Sequence, residues 1–356
     1  MKGYYSKVLK TNHASKWRNK GPILVTGHTG FKGTWLTLLL KELGLDVVGY
    51  SLSPKEESIY NFLGLKGAIP EVFEDIRNEV QLSRFIGIYQ PSAVIHLAAQ
   101  PIVLESYKNP SETFDVNVMG AINLMTSLEK SKTIEAAVIA TTDKVYKNNN
   151  SGQRFIEDDP LEGTDPYSSS KVAVEAVVKS WQNLYARSGR IRLIAARAGN
   201  VIGGGDLSAN RLIPDCIWSH LSGKPVILRN PESVRPWQHV LDPIYGYLQA
   251  LSFGILPAYN FGPNEQRDLT VREVIEILKE QIEFTFKVVE SEDDNYESKI
   301  LSLNSELARE TLNWSSVYNQ RIAIFKTAEW WKNALSNGDS LEFTKDQIRE
   351  YIKLQI

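Results

Sequence analysis

The sequence predicts an α/β fold: a doubly wound parallel sheet followed by a smaller α/β domain. Three observations carry this. Short apolar runs alternate with amphipathic helical stretches from residue 21 to about residue 200, the pattern of strands joined by helical crossovers. The first run, Ile23-Leu24-Val25-Thr26, leads straight into a glycine-rich turn and a helix. Beyond residue 200 the alternation gives way to segments interrupted by Pro and Gly, which marks a second unit. The 356 residues suffice for one large or two moderate domains. The expected division is an N-terminal extension over 1–20, a first domain over 21–200 with a returning segment near 240–262, and a second domain mainly over 201–356.

Composition narrows the function. Apolar residues make up 42% of the chain, enough for a sizeable core and against global disorder. A net charge of −2 gives no electrostatic case for nucleic acid or an anionic membrane. The single cysteine, Cys216, excludes an internal disulfide framework and a thiolate metal cluster. No metal site is expected, and the cytoplasm is the expected compartment. No run approaches 18 uninterrupted apolar residues. Met1 to Lys20 is polar and basic and lacks the apolar centre of a secretory signal.

The elements follow in order. After the strand 23–26, glycines at 27, 30 and 33 form G-x-x-G-x-x-G, and a helix runs from about Thr34 to Leu43. Such a loop gives a tight turn, close backbone approach to a pyrophosphate and close packing of helix on strand. The helix N-terminus supplies free N–H groups for phosphate. A second strand, Asp46 to Tyr50, completes the context that makes the motif informative. Gly27, Thr29, Gly30, Phe31, Lys32 and Gly33 are therefore expected to hold a dinucleotide, and the sheet is of the Rossmann type. Tyr50-Ser51-Leu52-Ser53 stands where an acidic residue would usually bind the adenosine ribose. No Arg follows to hold a 2′-phosphate, so NAD is favoured over NADP.

Val72 to Arg77 reads as a third strand, with Asp75 and Ile76 at the cofactor. Asp75 either accepts from an adenine amino group or caps the helix Glu79 to Tyr89. Ala93 to Leu97 is a fourth strand, followed by Ala98-Ala99-Gln100-Pro101. Small residues there let a cofactor approach the backbone, so Leu97, Ala98, Ala99 and Gln100 join the cofactor set. Buried His96 is assigned a structural hydrogen bond. Asn117, on the apolar face of a helix over 113–130, needs partners and is placed beside the site.

Chemistry concentrates at the fifth strand, Ala136 to Ala140. Thr141-Thr142-Asp143-Lys144-Val145-Tyr146 follows it, at the sheet edge where open α/β folds place their sites. Pro166 opens a helix to about Arg187 that carries Tyr167 and Lys171 four apart, on one helical face. An ammonium near a phenol favours the phenolate, so Tyr167 can act as a base below its free pKa of about 10. Thr141, Tyr167 and Lys171 are also expected at the cofactor, as is Arg197 in the strand Ile191 to Ala198. Gly199-Asn200 ends that strand. Beyond it come the turn Gly203-Gly204-Gly205-Asp206, a helix opened by Arg211-Leu212, and the short strand Pro225 to Leu228. The basic, aromatic segment Arg235-Pro236-Trp237-Gln238-His239-Val240 follows. A helix over 242–252 returns to the first domain. Two or three amphipathic helices, a strand near 285–289 and an acidic loop over 290–297 complete the chain.

Together these residues resemble the extended short-chain dehydrogenase/reductases, and among them the nucleotide-sugar 4,6-dehydratases of the CDP-glucose type. The resemblance covers residues 22 to 265. It rests on the glycine loop, His96 to Pro101, Thr142-Asp143-Lys144, Asp165-Pro166-Tyr167-Ser168 with Lys171, Arg197 to Asp206, and Arg235 to Val240. Most extended relatives that dehydrate sugars through the same motif carry Asp-Glu where this chain has Asp143-Lys144. The chain departs from the pattern at Leu104, where an Arg is usual, and at Leu207, where a Trp is usual.

The resemblance implies bound NAD, a homodimer built on a four-helix bundle or a tetramer, and a nucleotide-sugar substrate. Gln100, Asn200, Arg211, Leu212, Val226, Arg235 and His239 would contact that substrate, with Arg211 and Arg235 on the diphosphate. It also implies the reaction. Tyr167 takes the proton of the sugar 4-hydroxyl as hydride leaves C4 for NAD, and Thr142 orients that hydroxyl. Lys171 lowers the tyrosine pKa. Asp143 protonates the departing 6-hydroxyl, and hydride returns to C6. Lys144 is either the C5 base or a charge that stabilises the enolate. Both Asp143 and Lys144 can reach the sugar only if the strand has ended by residue 143, since neighbours in a strand point to opposite faces. The alternatives are a nucleotide-sugar 4-epimerase, a 4,6-dehydratase for another NDP-hexose, and a non-catalytic NAD sensor.

Overall fold

The computed structural model describes residues 14–208, 211–264, 267–289 and 301–355. The acidic segment 290–297 and residues 1–13 of the extension lie outside them. Seven parallel strands form the central sheet: β1 (Ile23–Thr26), β2 (Val47–Ser51), β3 (Glu71–Phe73), β4 (Ala93–His96), β5 (Ala136–Ala140), β6 (Arg192–Ala198) and β7 (Ala258–Phe261). Their spatial order is β7-β6-β5-β4-β1-β2-β3. The order reverses at β1, where a doubly wound sheet opens a crevice at its C-terminal edge.

The strands read as apolar runs because both of their faces are covered. Ile23, Val25, Ala93, Ile95, Ala136, Val138, Ile194 and Ala196 belong to one core. Their neighbours Leu24, Val94, Ala137, Ile139, Leu193 and Ala195 belong to the other. That division is the two-residue period of a strand. The first core is covered by α1 (Phe31–Glu42) and by helices from the second half of the chain. The second is covered by α2 (Glu79–Tyr89), α3 (Gly120–Lys130) and α4 (Pro166–Ser188).

Three features differ from the expected elements. The helix over 113–130 is broken: Pro110–Phe114 runs into a π-helical turn, Asp115–Met119, before α3 begins. The third strand stops at Phe73, because Asp75 is drawn into a turn with Arg77. Asp75 is not the cap of α2: the Asn78 side chain accepts from the Gln81 N–H in that role.

The second half is built from α5 (Leu212–Ser222), α6 (Leu241–Phe253), α7 (Val271–Lys279), α8 (Gln320–Leu335) and α9 (Ser340–Gln355), with the short helix Glu306–Leu312 between α7 and α8. Its strands occur in short pairs, such as Val226–Leu228 with Phe286–Val288. The run Gly203-Gly204-Gly205 is obligatory here. A side chain at Gly204 would run into the Trp330 ring, and Gly205 has φ +76° with Ile59 against it. No helix among the described residues is long and apolar enough to cross a membrane.

Candidate active site

The strand β5 ends at Ala140, and a 3-10 turn over Asp143–Val145 follows with Thr142 as its N-cap. The strand has therefore ended before residue 143, the condition for Asp143 and Lys144 to serve one site. Thr142 Oγ1 donates to Asp143 Oδ1 at 3.0 Å and accepts from the Lys144 N–H at 3.3 Å. Asp143 is buried, and burial raises its carboxyl above the usual range, against the pull of Lys144, Thr142, Arg235 and Lys32. Its Oδ2 has no hydrogen-bond partner among the described residues. A side chain at Gly199 would sit 2.8 Å from that oxygen, so the glycine keeps the space open. Lys144 is partly exposed.

Tyr167 and Lys171 stand on the first turns of α4. Asp165 and Ser168 start this helix with a reciprocal capping box, and Pro166 occupies its first turn. The Tyr167 N–H donates to Ser106 Oγ at 3.1 Å, which fixes the helix against the segment after Gln100. Burial pushes the Tyr167 phenol up to about 12, while the Thr142 hydroxyl and Arg211 pull it down. Lys171 is buried with its Nζ 3.3 Å from the Ala140 carbonyl. Burial lowers it to about 8, against the raising influence of Glu175.

Asn117 sits in the π-helical turn, a distortion frequent at functional sites. Its Oδ1 accepts from the Gln100 N–H at 2.8 Å, and its Nδ2 donates to Ser170 Oγ at 2.8 Å and to the Gln100 carbonyl at 3.2 Å. One side chain thus ties the loop after β4 to α4. The Gln100 side chain is turned back onto Ile102 and Thr113.

The glycine loop matches a dinucleotide cradle. Gly27 has φ +73°, and a side chain there would lie 2.7 Å from the Ala98 N atom. A side chain at Gly33 would collide with the Gly27 carbonyl oxygen. Gly30 caps α1 without any side-chain hydrogen bond, so the N–H groups of Phe31, Lys32 and Gly33 remain available to phosphate. Thr29 Oγ1 is 2.8 Å from Ser51 Oγ, which links the loop to the end of β2. Leu97, Ala98 and Ala99 line the loop after β4, with the Leu97 and Ala98 N–H groups on Thr26 Oγ1. Ile76 is buried against Gly120. His96 Nδ1 shares its structural hydrogen bond with the hydroxyl of the same threonine, 2.7 Å away, and burial drops the imidazole to about 3.

On the substrate side, Arg235 is buried and its charge acts on Asp143. Arg211 Nη1 donates to Asp206 Oδ2 at 2.9 Å, and its charge reaches Tyr167 and Lys32. Asn200 and Leu212 are partly exposed and Val226 is buried. Two expected contacts are enclosed instead. His239 is fully buried between Trp35 and Tyr318, with ring centroids 5.6 and 5.4 Å away, so no solute reaches its imidazole. The Arg197 guanidinium is spent on Glu175, the Tyr146 hydroxyl and the Glu157 carbonyl, which leaves it no face for a cofactor.

Against known proteins, residues 23–262 match the NAD dependent epimerase/dehydratase family. The chain belongs to that family. It is 34% identical to CDP-glucose 4,6-dehydratase of Salmonella typhimurium, over 94% of this chain and 97% of the relative. In fold it is like the dTDP-glucose 4,6-dehydratase of Bacillus anthracis determined with NAD, with a TM-score of 0.75 and 23% identity over 90% of this chain and 99% of that one. It is equally like the UDP-glucose 4-epimerase of Thermus thermophilus in complex with NAD, with a TM-score of 0.75 and 25% identity over 86% and 98%.

As a member of an NAD-dependent enzyme family, the chain takes NAD as its cofactor, and the open cradle at residues 27–33 fits it. Sequence reasoning missed Glu175, Tyr247 and Ser106. Tyr247 on α6 has a buried hydroxyl without a partner among the described residues, and it faces the charges of Tyr167 and Asp143. Lys32 lies 6.0 Å from its ring, and burial lowers that lysine to about 8. Glu175 had one signal in the sequence: it falls one helical turn after Lys171, on the same face.

Proposed function

We propose that this protein converts CDP-D-glucose to CDP-4-keto-6-deoxy-D-glucose and water. The observation that carries the proposal is the pair Asp143 and Lys144 on a turn beside Tyr167. A 4-epimerase needs no acid for a departing hydroxyl, and a sensor needs none of these groups together. The Salmonella typhimurium relative supports CDP-glucose as the substrate.

Gly27, Thr29, Gly30, Phe31, Lys32 and Gly33 hold the NAD phosphates, with Leu97, Ala98 and Ala99 along the loop after β4. When bound, NAD supplies an acceptor and later a donor for one hydride. The chain's own residues handle the protons. Thr142 orients the sugar 4-hydroxyl, and Tyr167 takes its proton. The Tyr167 phenol has a high affinity for protons in its buried seat, so it needs positive charge nearby to act as a base. Lys171 supplies that charge below about pH 8. The 4-ketone then acidifies C5–H, and Lys144 removes this proton or steadies the enolate. Burial raises the affinity of Asp143 for a proton, which suits it to donate one to the 6-hydroxyl as water leaves. Arg211 and Arg235 hold the diphosphate, a geometry suited to guanidinium, with Asn200, Leu212 and Val226 around the nucleotide sugar.

The test is incubation with CDP-glucose in deuterated water, followed by NMR, with dTDP-glucose, GDP-mannose and UDP-N-acetylglucosamine in parallel tubes. A 4-keto-6-deoxy product with deuterium at C5 from CDP-glucose alone is expected. The same product from another tube keeps the reaction and moves the substrate. A C4 epimer overturns the reading.

The homodimer belongs to the same proposal. Leu104, Tyr107, Phe114 and Met119, on the helical segments before α3, are 42%, 43%, 38% and 45% exposed. So many exposed large apolar side chains in one stretch suit a helix-to-helix interface. Sedimentation equilibrium of Tyr107→Lys should show a shift toward monomer.

A further inference from the structure

We propose that Glu175, clamped by Arg197, is a positioning residue for the oxidation step: it holds Thr141 in place and supplies the counter-charge that keeps Lys171 an ammonium beside Tyr167. The inference rests on the reading of Tyr167 and Lys171 given above.

The geometry is that of a built device. Glu175 is 7% exposed and Arg197 is 5% exposed. The carboxylate takes both arms of the fork, Oε1 from Arg197 Nε and Oε2 from Nη2, each at 2.9 Å. Glu175 Oε1 also accepts from Thr141 Oγ1 at 2.7 Å. The third guanidinium nitrogen donates to the Tyr146 hydroxyl and the Glu157 carbonyl, both at 2.8 Å. Tyr146 donates in turn to Asn260 Oδ1 at 2.7 Å. The network therefore joins the C-terminal ends of β5, β6 and β7 to the catalytic helix, behind the turn that carries Thr142 and Asp143.

A buried ion pair is a poor source of stability, since well-packed apolar residues of the same volume serve as well or better. What apolar residues cannot supply is a fixed negative charge one helical turn from Lys171. The charged and titratable groups that face Lys171 show why one is needed. Tyr167 shares its helix. His96 comes from β4 and stays neutral. Lys32 comes from α1 and is itself a cation that the Lys171 charge disfavours. Burial works against the Lys171 ammonium, and Glu175 is the group that opposes burial. The arginine fork holds that carboxylate in one orientation through two parallel hydrogen bonds.

The experiment is the pH profile of C4 oxidation in three variants, with the wild type as control. The wild type should lose activity above about pH 8, as the Lys171 ammonium is lost. In Glu175→Gln the basic limb should move down, so that activity at pH 8.5 falls about tenfold below wild type beyond any loss at pH 6.5, one unit of displacement being tenfold. Glu175→Gln/Arg197→Met, which leaves no lone buried charge, guards against a single variant that does not fold and should show the same displacement. Arg197→Lys breaks the fork but keeps both charges, so its limb should stay near that of the wild type even where its melting temperature drops. An unmoved limb in the first two variants, or an equal shift in Arg197→Lys, overturns the proposal. Titration of Lys171 by 13C-methyl labelling and NMR reads the same displacement without substrate. Absence of wild-type turnover would then sink the proposed reaction and still leave the Glu175 effect decided.

Discussion

At the scale of single residues, the proposed proton roles fall to groups in different environments. Asp143 and Lys144 are neighbours, yet one is buried with a raised carboxyl and the other is partly exposed. Asp143→Asn keeps the shape and removes the acid. We expect C4 oxidation to survive and release of the 6-deoxy product to fall by about 100-fold or more, the usual scale for a general acid. Rapid-quench NMR of the sugar would separate the two steps, and equal loss of both would remove Asp143 from the acid role. Lys144→Ala should leave C4 oxidation in place and stop deuterium entry at C5. If C5 still exchanges at the wild-type rate, the lysine is neither the C5 base nor the charge that steadies the enolate. Under the proposed reaction, Lys171 sets the basic side of the profile. It is a cation below about pH 8 and neutral above, so oxidation at C4 should decline as pH rises through that value.

At the scale of elements, the glycine loop and α1 act as one piece. Any side chain at Gly33 meets the Gly27 carbonyl and the His28 Cα, which are backbone atoms with little room to give. Gly33→Ala should therefore lower NAD affinity by more than tenfold and reduce the melting temperature, checked by fluorescence titration and calorimetry, with overpacking costs of about 1–3 kcal/mol. Retained affinity would mean that the loop is not the phosphate seat. This element was legible in the sequence because its signals are local: an apolar strand, glycines at fixed spacing, and a helix. The strands Ile23–Thr26 and Ala136–Ala140 were legible for the same reason, as runs covered on both faces. Features that depend on distant partners were not. Nothing near Asn117 announces the π turn it sits in or its bonds to Gln100 and Ser170. His239 looked available until Trp35 and Tyr318 closed around it. Arg197 looked like a cofactor ligand because its partner lies 22 residues away on another element.

At the scale of the whole molecule, both ends of the described chain are fastened to α6, the most buried helix. Trp17 Nε1 donates to Ser252 Oγ at 2.9 Å and Lys16 to the Ser252 carbonyl. From the other end, Tyr351 in α9 donates to Asp242 Oδ1 at 2.8 Å, and the Val317 N–H donates to the same oxygen at 2.7 Å. The helix α9 also meets α1 through Arg349 and Glu42 at 2.8 Å. The two clamps differ in what surrounds them. Asp242 is wholly buried, so water does not replace a donor that is lost there. Arg349 and Glu42 are 42% and 19% exposed, and solvent replaces what is lost. Tyr351→Phe should therefore cost about 1.5–3 kcal/mol, the scale of a hydrogen bond to a charged group. Arg349→Ala should cost about 0–1 kcal/mol, the scale of a surface pair. Urea unfolding of both variants, followed by tryptophan fluorescence, would set them in order. Equal losses in the two variants would mean that α9 is held by apolar packing alone, and the buried carboxylate would then need another reason to be there.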